Sequence, residues 1–354
     1  MISRIHKAGA RTIRRAPARE VIALSDDWRA WVVENALRGV SREGLVETLV
    51  DNGVPARIAY REVSEILASP AMAACVALDR RVQKLEMVAR LGRVMAEQAP
   101  RPDEIERVHR IDADAFYAHH FAACRPLFLT GFTEGWPALG QWSPAHFKER
   151  FGEAEIEIMA DRNAHPTPDR DPAAHRRKVR MADFVDMIAA AGATNDFYMV
   201  AHNHARENPA LRPLFDDVRP PGDIFDPAPL MRASSLWLGP AGTLTPLHHD
   251  TTNVLFCQIY GKKRFWLVSP QETALLDRAD GFYATVRATD LEAGRHPELG
   301  EVRVHRVDLA PGDSLFIPAG WWHEVLALEP SISFSLMNFR RPNDYSWYRP
   351  GSRS

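Results

Sequence analysis

Apolar residues in the first hundred positions recur at helical spacing. In the rest of the chain they fall into short runs or alternate with polar residues. Ser25 before Asp26 and Asp27 is an N-cap with acids in the first turn, and Trp28, Trp31, Val32, Asn35 and Ala36 follow at helical spacing until Gly39. A second helix fits 42–52, with Leu45, Val46, Leu49 and Val50 apolar and Gly53 past its end. Pro55 opens a third, carrying Ile58, Ala59, Val63, Ile66 and Leu67, and Ser69-Pro70 breaks it. A longer fourth fits 72–97, with Leu78, Val82, Leu85, Val88, Leu91, Val94 and Met95 apolar. Residues 21–97 therefore read as a helical region whose first role is packing, against the next domain or a second copy of the chain. Recruitment of a peptide is its alternative role.

Residues 98–107 read as a linker, and 108–354 as a second domain built mainly of strands. Strand patterns cover 125–130, 154–159, 196–201, 234–238, the two runs within 251–268, 302–308, 314–317, 322–328 and 331–337. Helices fit 144–151 and 181–191. Residues 162–179, with three prolines and many charges, read as a surface loop, 219–229 as a Pro-rich connection and 271–300 as irregular. Many short strands at close spacing predict a β-sandwich or barrel whose inside can hold one small ligand.

Composition narrows the partners. At 354 residues, 45% hydrophobic, the chain has material for a large domain and a smaller one. A net charge of −2 gives no electrostatic case for nucleic acid. Three separated cysteines, Cys75, Cys124 and Cys257, suggest a reducing compartment, and no apolar run reaches membrane-span length. Residues 1–20 are Arg-rich and read as a flexible basic tail, with an organelle transit segment as the alternative. A cytoplasmic protein is the expectation.

The chemistry concentrates in two islands. In Thr245-Pro-Leu-His-His-Asp250, His248 and Asp250 are two apart, which on a strand places them on one face. In Pro311-Gly-Asp-Ser-Leu-Phe-Ile-Pro-Ala-Gly-Trp-Trp-His323, a turn and a buried strand lead to His323. Two histidines and one carboxylate with open positions make the facial triad of non-haem Fe(II) oxygenases. A zinc site or an ordinary buried polar network would use the same residues.

Three motifs in this order, Thr-Pro-x-His-x-Asp, Gln-x-x-Gly-x-Lys and Pro-Gly-Asp-x-Leu-x-Ile-Pro-x-x-Trp-Trp-His, resemble the JmjC/cupin-like Fe(II)- and 2-oxoglutarate-dependent oxygenases. The resemblance covers most of 108–340. It comes nearest to the hydroxylase branch typified by the asparaginyl hydroxylase that inhibits hypoxia-inducible factor. It implies a double-stranded β-helix (jelly-roll) with flanking helices, and iron on His248, Asp250 and His323. It implies 2-oxoglutarate held at its far carboxylate by Lys263, fifteen residues after His248, with Thr245 and Tyr198 beside it. Asn338 matches an asparagine near cosubstrate and iron. One departure stands out: many hydroxylases have Asn four after the Asp, where this chain has Val254, with Asn253 one earlier. No role is carried over to Asn253, and no dimer is carried over from the family's C-terminal helices.

The implied reaction consumes O₂, decarboxylates 2-oxoglutarate to succinate and CO₂, and hydroxylates a C–H bond of a protein or peptide side chain. N-methyl demethylation shares the first steps. A metal-dependent cupin isomerase, lyase or hydrolase without 2-oxoglutarate is the alternative enzyme, and a cupin-like binding protein the non-enzymatic one. His249 should face away from the triad and Lys262 away from the pocket. Trp321 and Trp322 read as wall and core, His202 and His204 as surface loop residues, and Arg176–Arg180 as a solvated face. A homodimer through the helical region is the expected assembly.

Overall fold

A computed structural model describes residues 23–98, 101–201, 205–228, 230 and 233–345. The basic tail, His202 and His204 fall outside them. The chain divides into two compact units, residues 1–88 and 89–354. No helix among the described residues is long and apolar enough to cross a membrane.

The first unit holds α1 (Asp26–Leu37), α2 (Arg42–Asp51), α3 (Ala56–Ala68) and most of α4 (Pro70–Ala96). Ser25 and Ser41 cap α1 and α2 by accepting the N–H groups of Trp28 and Gly44. Pro55 stands at the cap of α3 rather than inside it, and Pro70 starts α4 instead of only ending α3. Both placements suit a residue with no N–H to satisfy. Val32, Leu45, Leu49, Val54, Ala59 and Val63 form the small core. Glu62, buried beside it, is paired with Arg29 at 2.5 Å and Arg61 at 2.8 Å.

The second unit is mainly β. Its strands are β1 (Glu106–Val108), β2 (Leu127–Leu129), β3 (Glu155–Met159), β4 (Arg176–Arg180), β5 (Ser234–Gly239), β6 (Leu244–His248), β7 (Val254–Tyr260) and β8 (Lys263–Val268). After these come β9 (Ala279–Asp280), β10 (Tyr283–Ala284), β11 (Val304–Leu309), β12 (Ser314–Ile317), β13 (Trp322–Ala327) and β14 (Ser331–Leu336). One six-stranded sheet runs β1-β2-β12-β7-β14-β5, the other β11-β8-β13-β6-β10-β9. Phe128, Phe256, Leu315 and Ile317 of the first pack with Phe265, Leu267, Val307, Leu309 and Val325 of the second in one cluster. The alternate residues turn outward: Leu255, Cys257, Phe334 and Leu336 meet the helices Pro144–Phe151 and Met181–Ala191, and Leu247, Trp266 and Trp322 join a third cluster with Ala288 and Leu291. This period-two sorting makes the expected jelly-roll, closed on an inner face.

Several local expectations change. The linker's last residues enter β1, parallel to β2. Residues 196–201 form only isolated bridges, Tyr198 with Met159 and Met199 with Leu238. The loop 162–179 is tied down. Its end is β4, whose Arg176 and Lys178 pair with Glu157 and Glu155 across β3, so the basic cluster is a cross-strand charge ladder. Its start is Arg162, fully buried, which grips Asp169 through both terminal nitrogens and donates to the carbonyls of Asn195 and Leu244.

Candidate active site

Three neighbouring strands, β8, β13 and β6, carry most of the site. His323 of β13 lies opposite His248 of β6, and two residues on, Val325 lies opposite Thr245. Three residues of β6 thus span what two of β13 span, which is a β-bulge. Strict alternation would turn Thr245 away from His248. The bulge turns both inward, since cross-strand partners share a face. The strand ends at His248, so Asp250 reaches the site from the following loop, not from a strand position. The Gly320 N–H, donating to the Asp250 carbonyl at 2.9 Å, ties that loop to the turn before His323.

The histidine Nδ1 atoms lie against backbone oxygens, His248 on Pro246 at 2.8 Å and His323 on Trp321 at 3.0 Å. Those contacts fix Nδ1 as the protonated nitrogen and leave both Nε2 lone pairs free. The imidazole centroids are 4.1 Å apart, His323 Nε2 is 3.7 Å from Asp250 Oδ2, and one ligand atom from each of the three residues lies within 4.8 Å of the others. Burial and the neighbouring His248 push the His323 imidazole down to about 4, so it stays a neutral donor. Two imidazole nitrogens and a carboxyl group thus converge on one point, a donor set that suits a divalent cation. The donor set therefore fits a metal, and three protein ligands leave coordination positions open.

The other end of the inner face holds Lys263. Along β8, Lys263, Phe265 and Leu267 point inward, and Leu267 faces His323 across the pair. Four residues of strand, roughly 13 Å, separate the two levels. Lys263 is 1% exposed; its Nζ donates to the Tyr198 hydroxyl at 2.9 Å and is ringed by Phe256, Tyr198 and Trp237 at 5.1, 5.3 and 5.8 Å. No salt bridge joins it to a carboxylate among the described residues. Burial alone pushes its ammonium down to about 7; burial, chiefly, also raises the Tyr198 phenol, with the Asp169 charge adding to it. Tyr198 can sit there because residue 239 is Gly: a Cβ at Gly239 would stand 2.6 Å from its ring. Lys262 faces out and pairs with Glu329.

Asn338 is buried, but its amide donates to the Asp226 carbonyl at 2.7 Å, and no described hydrogen bond joins it to the triad or Lys263; its Oδ1 has no partner. His249 turns away, against Trp322 and Phe282. Two residues escaped the sequence reading. Asn253 accepts from the Ala319 N–H at 2.9 Å and exchanges hydrogen bonds with Asn343, locking the Asp250 loop to the His323 turn. Its displacement from the family position hid it. Tyr283, in the segment read as irregular, packs its ring 5.8 Å from His248 and donates its hydroxyl to the Asp169 carbonyl. Beside the ligand loops lies a groove of about 940 Å³, lined by Tyr117, Phe121, Cys124, Asn253, Arg341 and Tyr345 among others.

Residues 113–345 match the family described as Cupin-like domain. The chain is 28% identical to the Jumonji C domain-containing protein 5 of Drosophila melanogaster over 77% of its own length and 72% of that protein's. It is 27% identical to the lysine-specific demethylase 8 of Xenopus tropicalis over 65% of its length, spanning 52% of that relative. It is 26% identical to the HSPB1-associated protein 1 of Bos taurus over 58%, spanning 46%.

Proposed function

The chain belongs to the cupin-like, JmjC-type domain family, and on that premise we propose that it is an Fe(II)- and 2-oxoglutarate-dependent dioxygenase that hydroxylates a protein or peptide side chain. The observation that carries this reading is Lys263: a buried amine with no carboxylate partner among the described residues, on the same inner wall as a three-residue candidate metal site. A free buried cation of this kind suits one end of a dicarboxylate, while the metal takes the keto-acid end.

Each residue then has a task. His248, Asp250 and His323 hold iron; bound there, it supplies the activation of O₂ that decarboxylates the keto acid and oxidises a C–H bond. Lys263 pairs with the far carboxylate, Thr245 donates a hydroxyl to it, and Tyr198 holds the ammonium in line. The inner apolar cluster excludes water from the cosubstrate. For Asn338 the place near the cosubstrate rests on the motif resemblance alone; its buried Oδ1 has no described partner. The substrate segment enters by the groove beside the ligand loops. The chemistry lies in 108–354, with 21–97 a separate helical region.

The test is anaerobic: Fe(II), then 2-oxoglutarate, added to wild type and Lys263→Ala. The expected result is a weak visible charge-transfer band in wild type only, and slow succinate formation once O₂ is admitted. Neither band nor succinate, in protein that binds metal, refutes the reading and leaves a metal-dependent cupin without 2-oxoglutarate. Demethylation is the second reading, favoured by the names of relatives such as lysine-specific demethylase 8. Mass analysis of a turned-over peptide separates them: a gained oxygen against a lost methyl with formaldehyde.

A further inference from the structure

The helix α4 carries an apolar stripe that the described residues of its own chain leave open. Leu78, Val82, Leu85, Val88, Leu91 and Met95 are each at least half exposed. From Arg80 to Val88 every residue of the helix is exposed. A helix without a packed face is marginal in water, so this one needs a cover.

The spacing of the stripe identifies it. The six positions are separated by 4, 3, 3, 3 and 4 residues, a series that reads the same in both directions. A two-fold axis across the helix between Glu86 and Met87 therefore maps the stripe onto itself: Leu78 falls level with Met95 of the other copy, Val82 with Leu91, and Leu85 with Val88. Self-complementarity of one patch is the requirement for an isologous dimer. The six side chains expose roughly 700 Å² per copy, against about 800 Å² per partner in a standard interface. We propose that α4 is a dimerisation helix, and that its antiparallel pairing with the α4 of a second copy of this chain joins two catalytic chains.

The proposal does not depend on the reaction. Sedimentation of the full chain, from sub-micromolar to about 100 µM, should give twice the 39.8 kDa chain mass at the upper end. Leu85→Glu with Val88→Glu places four carboxylates at the centre of the pair and should weaken association at least about a hundredfold. Metal binding should be unchanged, because both side chains face solvent in the single chain, and any loss of helicity should be confined to the uncovered turns of α4. A benzophenone residue in place of Leu78 should crosslink to the segment around Met95 of the other copy. A chain that stays monomeric throughout overturns the proposal, as does a double variant that still dimerises or a crosslink from 78 to 78.

Discussion

If 2-oxoglutarate binds as proposed, a pH dependence of its affinity follows from the burial of one amine. Lys263 is enclosed by three aromatic rings and a phenol, and burial brings its ammonium from the ordinary lysine value to about 7. The far carboxylate pairs with the charged form, so above pH 7 binding must bring a proton with it. The dissociation constant should then rise about tenfold per pH unit from pH 7 upward, until the pKa of the bound complex is reached. The sign for folding without ligand follows from the same group. Between pH 7 and the unfolded lysine value, the unfolded chain holds a proton that the folded chain lacks. Stability therefore rises with pH there, by about 1.4 kcal/mol per unit from this group. Lys263→Met should remove both slopes and weaken binding about a hundredfold to several thousandfold, the cost of a buried carboxylate left alone. Anaerobic calorimetry with saturating Fe(II), in buffers of different ionisation enthalpy, reads affinity and proton uptake together. A wild-type affinity flat from pH 6.5 to 9, or a slope that survives Lys263→Met, would refute the argument.

Asp250→Ala should abolish stoichiometric Fe(II) binding, read by metal analysis after desalting, with the fold intact by circular dichroism because Asp250 lies in a loop. Gly239→Ala should push the Tyr198 ring off Lys263, costing about 1–3 kcal/mol in a urea titration and weakening 2-oxoglutarate binding in the same protein. Arg162→Met leaves Asp169 and two carbonyls unpaired; it should cost about 3–5 kcal/mol, and limited proteolysis should begin between 165 and 175. Asn253→Ala should lower metal affinity without touching a ligand, because it releases the Asp250 loop from Ala319.

The residues whose chemistry is tied to residue type were legible in the sequence. His248, Asp250, His323 and Lys263 announce themselves by spacing within three motifs, and short apolar or strand-like runs located β7, β8, β12, β13 and β14. Features that depend on pairing were not legible. The inward aim of Thr245 is set by a bulge that exists only where β6 meets β13, and alternation alone predicts the opposite face. Strand alternation predicts Asp250 beside His248, but the strand ends two residues before it and the following loop carries it there. Arg162, Asn253 and Tyr283 act through partners 7 to 114 residues away in sequence, a relation no local pattern encodes. The run 196–201 has strand composition but forms only two bridges, one of them to β5.

The placement of β6, β8 and β13 side by side in one sheet has a consequence for how the protein fails. Both histidines and the lysine sit on strands that exchange hydrogen bonds directly, while the opposite sheet contributes walls. Loss of that ladder is a single event that scatters the two histidines and the buried lysine together, and with them the proposed metal and keto-acid sites. Hydrogen exchange at the amides of Phe265, Leu267 and Val325 should slow in concert when either ligand is added, because each one opposes the same opening. Inactivation by heat should accordingly pass from full competence to none, without a population that keeps the metal and has lost the keto acid.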